Sequence, residues 1–174
     1  MVMIKNNLVD NPPQPWSKVG TVLVGGLYQV GYAKDRDVIL IHSASKVTLA
    51  DTITGERLAV GQDEFESIEH YRRLAMPGFG CMAGEMISTA GIWGGYLPAK
   101  TSDGFSLRKR DSFWSIPDVD LIYPDGREVC VSTHNVCDIR AYGFSDTNFS
   151  FVIATECDVQ IFARKGDARR AMEN

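Results

Sequence analysis

Short apolar runs, separated by glycine, proline and aspartate, recur along most of the chain, and in several of them apolar and polar residues alternate. A period of two is typical of β-strands, because successive side chains of a strand point to opposite faces of the sheet. Residues 19–24 and 27–32 are two such runs, and Gly25-Gly26 lies between them. Two glycines suit the positive φ values of a tight turn. The pattern therefore predicts a hairpin over residues 19–32.

The most informative pattern is an internal repeat, in which residues 30–50 align without gaps with residues 142–162 at a constant offset of 112. Gly31 aligns with Gly143, and both copies carry an apolar triplet followed by a short polar turn and an alternating strand. Each copy therefore predicts a unit of three antiparallel strands that turns an apolar face to a core. We expect four residues of the two copies to face the core in equivalent pairs, namely Ile41 with Ile153 and Val47 with Val159.

These units resemble single blades of WD-repeat β-propellers. The resemblance rests on residues 30–35 and 142–146, on the apolar triplets that follow them, and on residues 51–56, which resemble the turn that leaves a blade. No Trp-Asp pair ends either unit, and a chain of this length has room for at most about four blades of ~40–45 residues. The resemblance implies antiparallel, hairpin-built, blade-like sheets, and not a closed propeller.

The whole chain also resembles a group of uncharacterised bacterial proteins that are small and rich in β-structure. The shared segments are residues 11–18 with the pattern Asn-Pro-x-x-Pro-Trp-Ser-Lys, residues 54–56 with Thr-Gly-Glu, and residues 141–145 with Ala-Tyr-Gly-Phe-Ser. This resemblance implies a bacterial origin and attaches no function to the chain.

The remaining segments complete an all-β prediction with one short helix. Residues 1–17 are predicted to form an extended Pro-rich arm that Trp16 pins to the body, because three prolines there exclude a helix. Residues 18–165 form a single β-rich domain, and residues 166–174 form a frayed tail. Residues 62–76 carry apolar side chains at helical spacing before Pro77-Gly78, which predicts the helix. An excess of valine and isoleucine, 27 against 10 leucines, favours strands elsewhere.

Composition excludes several classes of function. The chain has 174 residues and a formal net charge of −4, which disfavours a broad nucleic-acid surface. No apolar run approaches the ~20 residues of a membrane helix, and no secretory signal is present, so we expect a cytoplasmic protein without membrane contact. The four cysteines form no C-x-x-C pair, and we expect reduced, mostly buried thiols.

Candidate catalytic and metal-binding residues are few. Cys130, His134 and Cys137 could supply three soft ligands to zinc, but a structural site needs a fourth, so we expect no metal and no other cofactor. His42 and His134 lie near predicted hairpins with hydroxyl or thiol groups close by in sequence. A small hydrolytic or small-molecule-processing enzyme that uses either histidine is therefore the alternative function.

An aromatic cluster is the best candidate for a binding surface. Five aromatic residues fall within 22 residues of glycine- and proline-rich chain, and large rigid aromatic side chains dominate the energetics of many interfaces. They either plug a small β core or face a partner. The first interpretation leaves the chain without a site, and the second predicts a protein-binding module without catalysis, such as an immunity-type protein or an accessory partner. The interface candidates are Trp93, Tyr96, Phe105, Phe113 and Trp114.

Overall fold

The computed structural model describes residues 11–61, 72–112, 115–131 and 137–165. Within these ranges the chain is all-β, as predicted, with antiparallel strands joined by turns. None of the described residues belongs to a helix with the length and hydropathy of a membrane span. The strands are β1 Trp16–Leu23, β2 Leu27–Tyr32, β3 Val38–Ser43, β4 Val47–Asp51, β5 Arg57–Gly61, β6 Ala75–Pro77, β7 Met86–Ser88, β8 Ala90–Gly91, β9 Ser106–Ser112, β10 Ser115–Ile122, β11 Glu128–Cys130, β12 Ile139–Phe144, β13 Ser150–Thr155 and β14 Asp158–Arg164.

The described strands form four sheets. Strands of a five-stranded sheet follow the order β5-β4-β3-β2-β8, and those of a four-stranded sheet the order β1-β14-β13-β12. A three-stranded sheet has the order β11-β10-β9, and β6 pairs with β7. Strand β12, at one edge of the four-stranded sheet, lies against β2, which is next to one edge of the five-stranded sheet. The two copies of the repeat are therefore in direct contact.

The repeat is confirmed at the level of hydrogen-bond register. We call β2–β4 unit 1 and β12–β14 unit 2. Strands β2 and β3 begin and end 112 residues before β12 and β13. Val30 pairs with Ile41 in unit 1, and Tyr142 pairs with Ile153 in unit 2. The same irregularity, one extra residue in the first strand, occurs at the same position of both units.

A fourth strand completes each unit, and it comes from a different part of the chain in each case. In unit 1, β5 pairs with β4 directly after the turn that joins them. In unit 2, β1 at the other end of the chain pairs with β14. The bulge of β1 lies opposite Ile161 and Phe162, and the bulge of β5 lies opposite the equivalent residues of unit 1, Leu49 and Ala50. The predicted hairpin over residues 19–32 is therefore wrong: β1 and β2 lie in different sheets, because β14 offers β1 a full-length partner and Gly25-Gly26 only links the sheets.

Both faces of each unit are buried: one face packs on the other unit, and the opposite face packs on further elements of the chain. Ile39 and Ile41 of unit 1 pack in one cluster with Val152 and Ala154 of unit 2, which lie on the opposite, non-equivalent face of that unit. Ile41, Ile153, Val47 and Val159 are all buried, as expected, but they fall in three clusters rather than one. The outer face of unit 1 packs on β6, β7 and the 3-10 helix at 80–82, and that of unit 2 packs on β9–β11 and Trp16.

A polar network joins the two units at one end. The carboxylate of Asp37 accepts hydrogen bonds from the Ser150 hydroxyl at 2.7 Å and from the Thr147 hydroxyl at 2.7 and 2.9 Å. The Thr52 and Ser150 hydroxyls lie 2.7 Å apart. Burial raises the pKa of the nearby Tyr32 phenol well above its ordinary value. Because buried polar groups are costly when unpaired, this network fixes how the units sit together.

The ends of the predicted segments need two corrections. Strand β1 begins at Trp16, inside the predicted arm, and Trp16 is fully buried among aromatic rings, as the pinning role required. Residues 1–10 and 166–174 lie outside the described residues. So do residues 62–71, which hold most of the predicted helix. In its described part, Arg72 and Arg73 are helical as predicted, but the helix does not reach Met76, since Ala75–Pro77 is a strand that pairs with β7.

Candidate functional site

Residues 91–99, which we call the strap, run from β2 of unit 1 to β12 of unit 2. The strap begins on unit 1, where Gly91 pairs with Gln29 and the Ile92 amide donates to the Tyr28 carbonyl at 2.9 Å. It ends on unit 2, where the Phe144 amide donates to the Pro98 carbonyl at 2.7 Å. The strap is therefore held by backbone hydrogen bonds at both ends.

The repeated glycines explain how the chain can cross so closely. A Cβ at Gly31 would lie far inside van der Waals contact of the Ser88 carbonyl oxygen, just before the strap. A Cβ at Gly143 would overlap the Cβ of Leu97 in the same way. Glycine leaves this space because it has no side chain. Gly31 and Gly143 are thus equivalent positions at which the segment that connects the two units, from Ser88 to Leu97, packs directly on each unit.

The predicted interface residues separate into exposed, buried and undescribed ones. Tyr96 is 91% exposed, and Trp93, on the turn closed by Gly91 and Gly94, is 39% exposed. Phe105 is only 7% exposed and packs edge-on against Trp16 at 5.5 Å between ring centroids. Phe105, directly before β9, is therefore core rather than surface and belongs to the aromatic cluster under unit 2. Phe113 and Trp114 lie outside the described residues.

The extra residue of each bulge lies beside the strap. In unit 1 this residue is Tyr28, whose ring packs 5.3 Å from that of Trp93. In unit 2 it is Arg140, which lines a cleft with Tyr96. A bulge re-aims a side chain that would otherwise follow the alternation of the strand. The same backbone irregularity therefore presents an aromatic ring on one unit and a cation on the other.

A cleft with a volume of about 520 Å³ lies next to unit 2 and borders the strap. Lys109 and Arg140 supply two cations, and the lining that the structure describes contains no carboxylate. Arg140 Nη2 lies 3.4 Å from Glu156 Oε2, outside that lining. The walls are aromatic and aliphatic: Ala90, Gly95, Tyr96, Leu97, Pro98, Ala99, Ile139, Ala141 and Tyr142. We call this space the cationic cleft.

A second cleft of about 350 Å³ lies on the other side of the strap and shares Tyr96, Leu97 and Pro98 with the first. Its charged residues are Lys34, Glu85 and Asp146, so the described lining carries one net negative charge. Tyr96 stands between the two clefts. The strap therefore forms a ridge with clefts of opposite charge on its two sides.

His42 does not occupy an accessible site. Its side chain is fully buried, and its Nδ1 lies 3.2 Å from Gln29 Nε2. Gln29 Oε1 in turn accepts from the Thr89 hydroxyl at 2.8 Å, and the ring of Tyr28 lies 5.2 Å from the His42 ring. This chain of contacts ties β2, β3 and the segment before the strap together, and substrate cannot reach the imidazole. His134, the other predicted catalytic candidate, lies outside the described residues.

The cysteines require a correction. Cys137 and Cys157 form a disulfide, whereas the sequence predicted reduced thiols. The pairing of Ile139 with Thr155 brings the two cysteines close, with 6.3 Å between their Cα atoms. Cys137 is therefore not available as a thiolate for the predicted cluster of Cys130, His134 and Cys137. The described residues hold no group of three potential metal ligands.

Two residues of the basic run at 108–110, Arg108 and Arg110, pair with a buried carboxylate. Asp120 is almost fully buried on β10, opposite β9. Arg110 Nε lies 2.5 Å and Arg108 Nη2 3.3 Å from its carboxylate. A buried carboxylate needs such partners. Lys109, which alternates to the other face, is the member of the run that lines the cationic cleft.

Sequence reasoning missed the two bulge residues and the cationic cleft. Tyr28 and Arg140 are equivalent at the offset of 112, but they lie two residues before the aligned segments, and the alignment alone does not show a bulge. Comparison with known proteins does not add a candidate, since no family model and no curated protein matches the chain.

Proposed function

We propose that this protein is a protein-binding module and that the strap is the centre of its interface. The observation that carries the proposal is Tyr96, which is 91% exposed on a segment hydrogen-bonded to both units. Exposing a large aromatic side chain to water is unfavourable unless a partner covers it, and a ring on a fixed backbone loses little entropy when it is covered. Trp93 and Ile92, both partly exposed, extend this surface towards unit 1.

The shape beside Tyr96 favours an extended segment of a partner over a flat surface. The two clefts open on opposite sides of one ridge, and each has room for a few side chains rather than for a domain. A partner strand or loop that crosses the ridge could place side chains in both. Neutralisation of a toxic partner, as by an immunity-type protein, and service as an accessory subunit both fit this arrangement. A toxin gene beside the gene for this chain would favour the first.

The disulfide bears on where binding takes place. Disulfides persist in oxidising compartments and are rare in the reducing cytoplasm. The bond between Cys137 and Cys157 therefore favours an oxidising environment over the predicted cytoplasmic one. Fractionation of the native cells, with thiol labelling of the recovered protein, tests this part of the proposal.

Site-specific photo-cross-linking tests the interface. A benzophenone amino acid at position 96 should give one dominant adduct in the native cells, and the same probe at Leu23, which is 73% exposed on β1, should not. The partner is then purified and titrated calorimetrically. Tyr96→Ala should weaken the complex at least tenfold, typical of an interface hot spot, without a change in melting temperature. Equal adducts at both positions, or an unchanged affinity of Tyr96→Ala, would refute the proposal.

A further inference from the structure

We infer that the cationic cleft is a binding site for a carboxylate carried next to an aromatic or aliphatic group. The inference rests on the proposed function, since it names the chemical group of the partner that this cleft receives. A partner can supply it in two ways, as an Asp or Glu side chain beside an apolar residue or as the carboxylate of an apolar C-terminal residue.

The charge of the cleft is the first reason. In the part of the lining that the structure describes, Lys109 and Arg140 are the charged residues, although the chain as a whole carries a net charge of −4. The cleft on the other side of the strap contains Glu85 and Asp146 against Lys34. Two cations that share apolar walls attract an anion more strongly than cations on an open surface, because the walls exclude part of the screening water.

The position of Arg140 is the second reason. The bulge fixes its backbone, and Glu156 holds Nη2 from outside the cleft at 3.4 Å. Glu156 is about half exposed, so water screens this pair and leaves the guanidinium electrostatically able to bind a second anion. Nε of Arg140 is buried, with no hydrogen-bond partner among the described residues, so the guanidinium meets an anion in the cleft through its Nη groups. The planar fork of arginine matches the two oxygens of a carboxylate.

The walls of the cleft supply the rest of the specificity. Tyr96 and Tyr142 offer two rings, and Leu97 and Pro98 offer aliphatic surface between them. A bare anion such as acetate would leave these walls wet. A carboxylate attached to a ring would pair with the cations and cover apolar surface at the same time. Phenylacetate is therefore the smallest probe that carries both features.

The test is a titration of the isotopically labelled full chain with phenylacetate, followed by NMR at the arginine Nε–H and backbone amide groups. We expect saturable shifts at Arg140, Tyr96 and Leu97. Arg140→Gln should weaken phenylacetate binding at least tenfold, and Arg140→Lys should weaken it less. Arg127→Gln is the matched control, because Arg127 is an exposed arginine paired with Asp125 at a distant turn. A dispersed amide spectrum of Arg140→Gln establishes that the variant is folded.

Two neutral or alternative probes define the ligand class. Phenylacetamide, which lacks the charge, should bind at least tenfold more weakly than phenylacetate, and equal binding would overturn the inference. Tighter binding of phenyl phosphate would also overturn it, in favour of a phosphate site. Phenylacetate binding that Arg140→Gln leaves unchanged would place the ligand elsewhere and refute the assignment.

Two peptides then separate the sources of the carboxylate. One ends in phenylalanine with a free C-terminus, and the other has an internal Asp-Phe pair and an amidated C-terminus. The tighter binder identifies the source, and failure of both, where phenylacetate binds, would restrict the site to small ligands and refute the partner carboxylate. The proposed function fails separately: phenylacetate binding without a cross-linked partner at position 96 would keep the carboxylate site and reject the protein interface.

Discussion

Units 1 and 2 share a backbone and differ in the side chains that it carries. Their strand pairings agree residue for residue, including the bulge. Unit 1 has buried polar side chains, Gln29 and His42, where unit 2 has Ala141 and Ala154. Unit 2 has Phe151 stacked on Phe162 at 4.5 Å where unit 1 has Ile39 and Ala50. Strand register thus depends on the polar and apolar period and on the turns, whereas core chemistry is free to diverge.

The completing strands sharpen this contrast. Unit 1 is closed by the next strand in sequence, but unit 2 depends on β1 from the other end of the chain. Unit 2 also holds the disulfide, and the positions equivalent to Cys137 and Cys157 in unit 1 are Gly25 and Ser45. Unit 2 is therefore stabilised by two long-range connections, and the largest expected effects fall there.

We expect the largest loss of stability for Trp16→Ala, which removes the anchor of the strand that completes unit 2. Trp16 anchors β1 to unit 2 by ring contacts with Phe105, Phe144 and Phe151 at 5.0–5.6 Å between centroids. Removing a buried aromatic side chain typically lowers the free energy of unfolding by about 3–5 kcal/mol. Urea denaturation should show this loss, while Leu23→Ala, on the same strand but exposed, should change it by less than about 0.5 kcal/mol. Equal effects would mean that β1 is not anchored by Trp16.

Loss of the disulfide should come next. Replacing both Cys137 and Cys157 by serine removes a cross-link that spans 20 residues, which typically costs about 2–4 kcal/mol. Hydrogen exchange should accelerate in β12–β14 and stay slow in β2–β4, because only unit 2 carries the bond. Uniform acceleration in both units would show that they unfold together, and the contrast between them would then be one of sequence only.

The equivalent glycines test whether the chain between Ile87 and Pro98 packs on both units in the same way. Gly31→Ala and Gly143→Ala should each cost about 1–3 kcal/mol, since the new Cβ overlaps the crossing chain and forces it to shift. Gly25→Ala is the control, because no atom lies within 4 Å of its Cβ position. Thermal unfolding monitored by circular dichroism measures all three. A neutral Gly143→Ala would mean that residues 97–98 do not pack on β12.

The smallest effect concerns a surface ion pair under unit 2. Two hydrogen bonds from Arg164, at 2.6 and 2.8 Å, lower the pKa of Asp103 to about 2. Because the carboxyl pKa is lower in the folded protein, the ion pair stabilises the fold at pH values above the ordinary carboxyl pKa of 3.8. This contribution is lost as the pH falls towards about 2. Asp103 is half exposed, so Asp103→Asn should cost less than about 1 kcal/mol at neutral pH. The melting temperatures of variant and wild type should converge between about pH 4 and pH 2, and a constant difference would contradict the assignment.

Local pattern determined much of this protein. The period of two, the turn residues and the repeat at an offset of 112 predicted antiparallel units with buried central strands, and the strand bounds of the two units confirm that prediction. The burial of Trp16 could also be predicted, because a tryptophan next to prolines at the edge of a small β domain gains most by entering the core. These features depend on residues that are near one another in sequence.

Tertiary structure alone decided the partner of β1, the disulfide and the cationic cleft. Residues 19–24 satisfy a hairpin with β2 and a ladder with β14 equally well by pattern, and the choice depends on which strand edge is open in the folded core. Cys137 and Cys157 meet only after β12 and β13 have paired. Lys109, Tyr96 and Arg140 come from β9, the strap and a bulge on β12. No sequence spacing encodes their proximity, because sheet packing brings distant segments together.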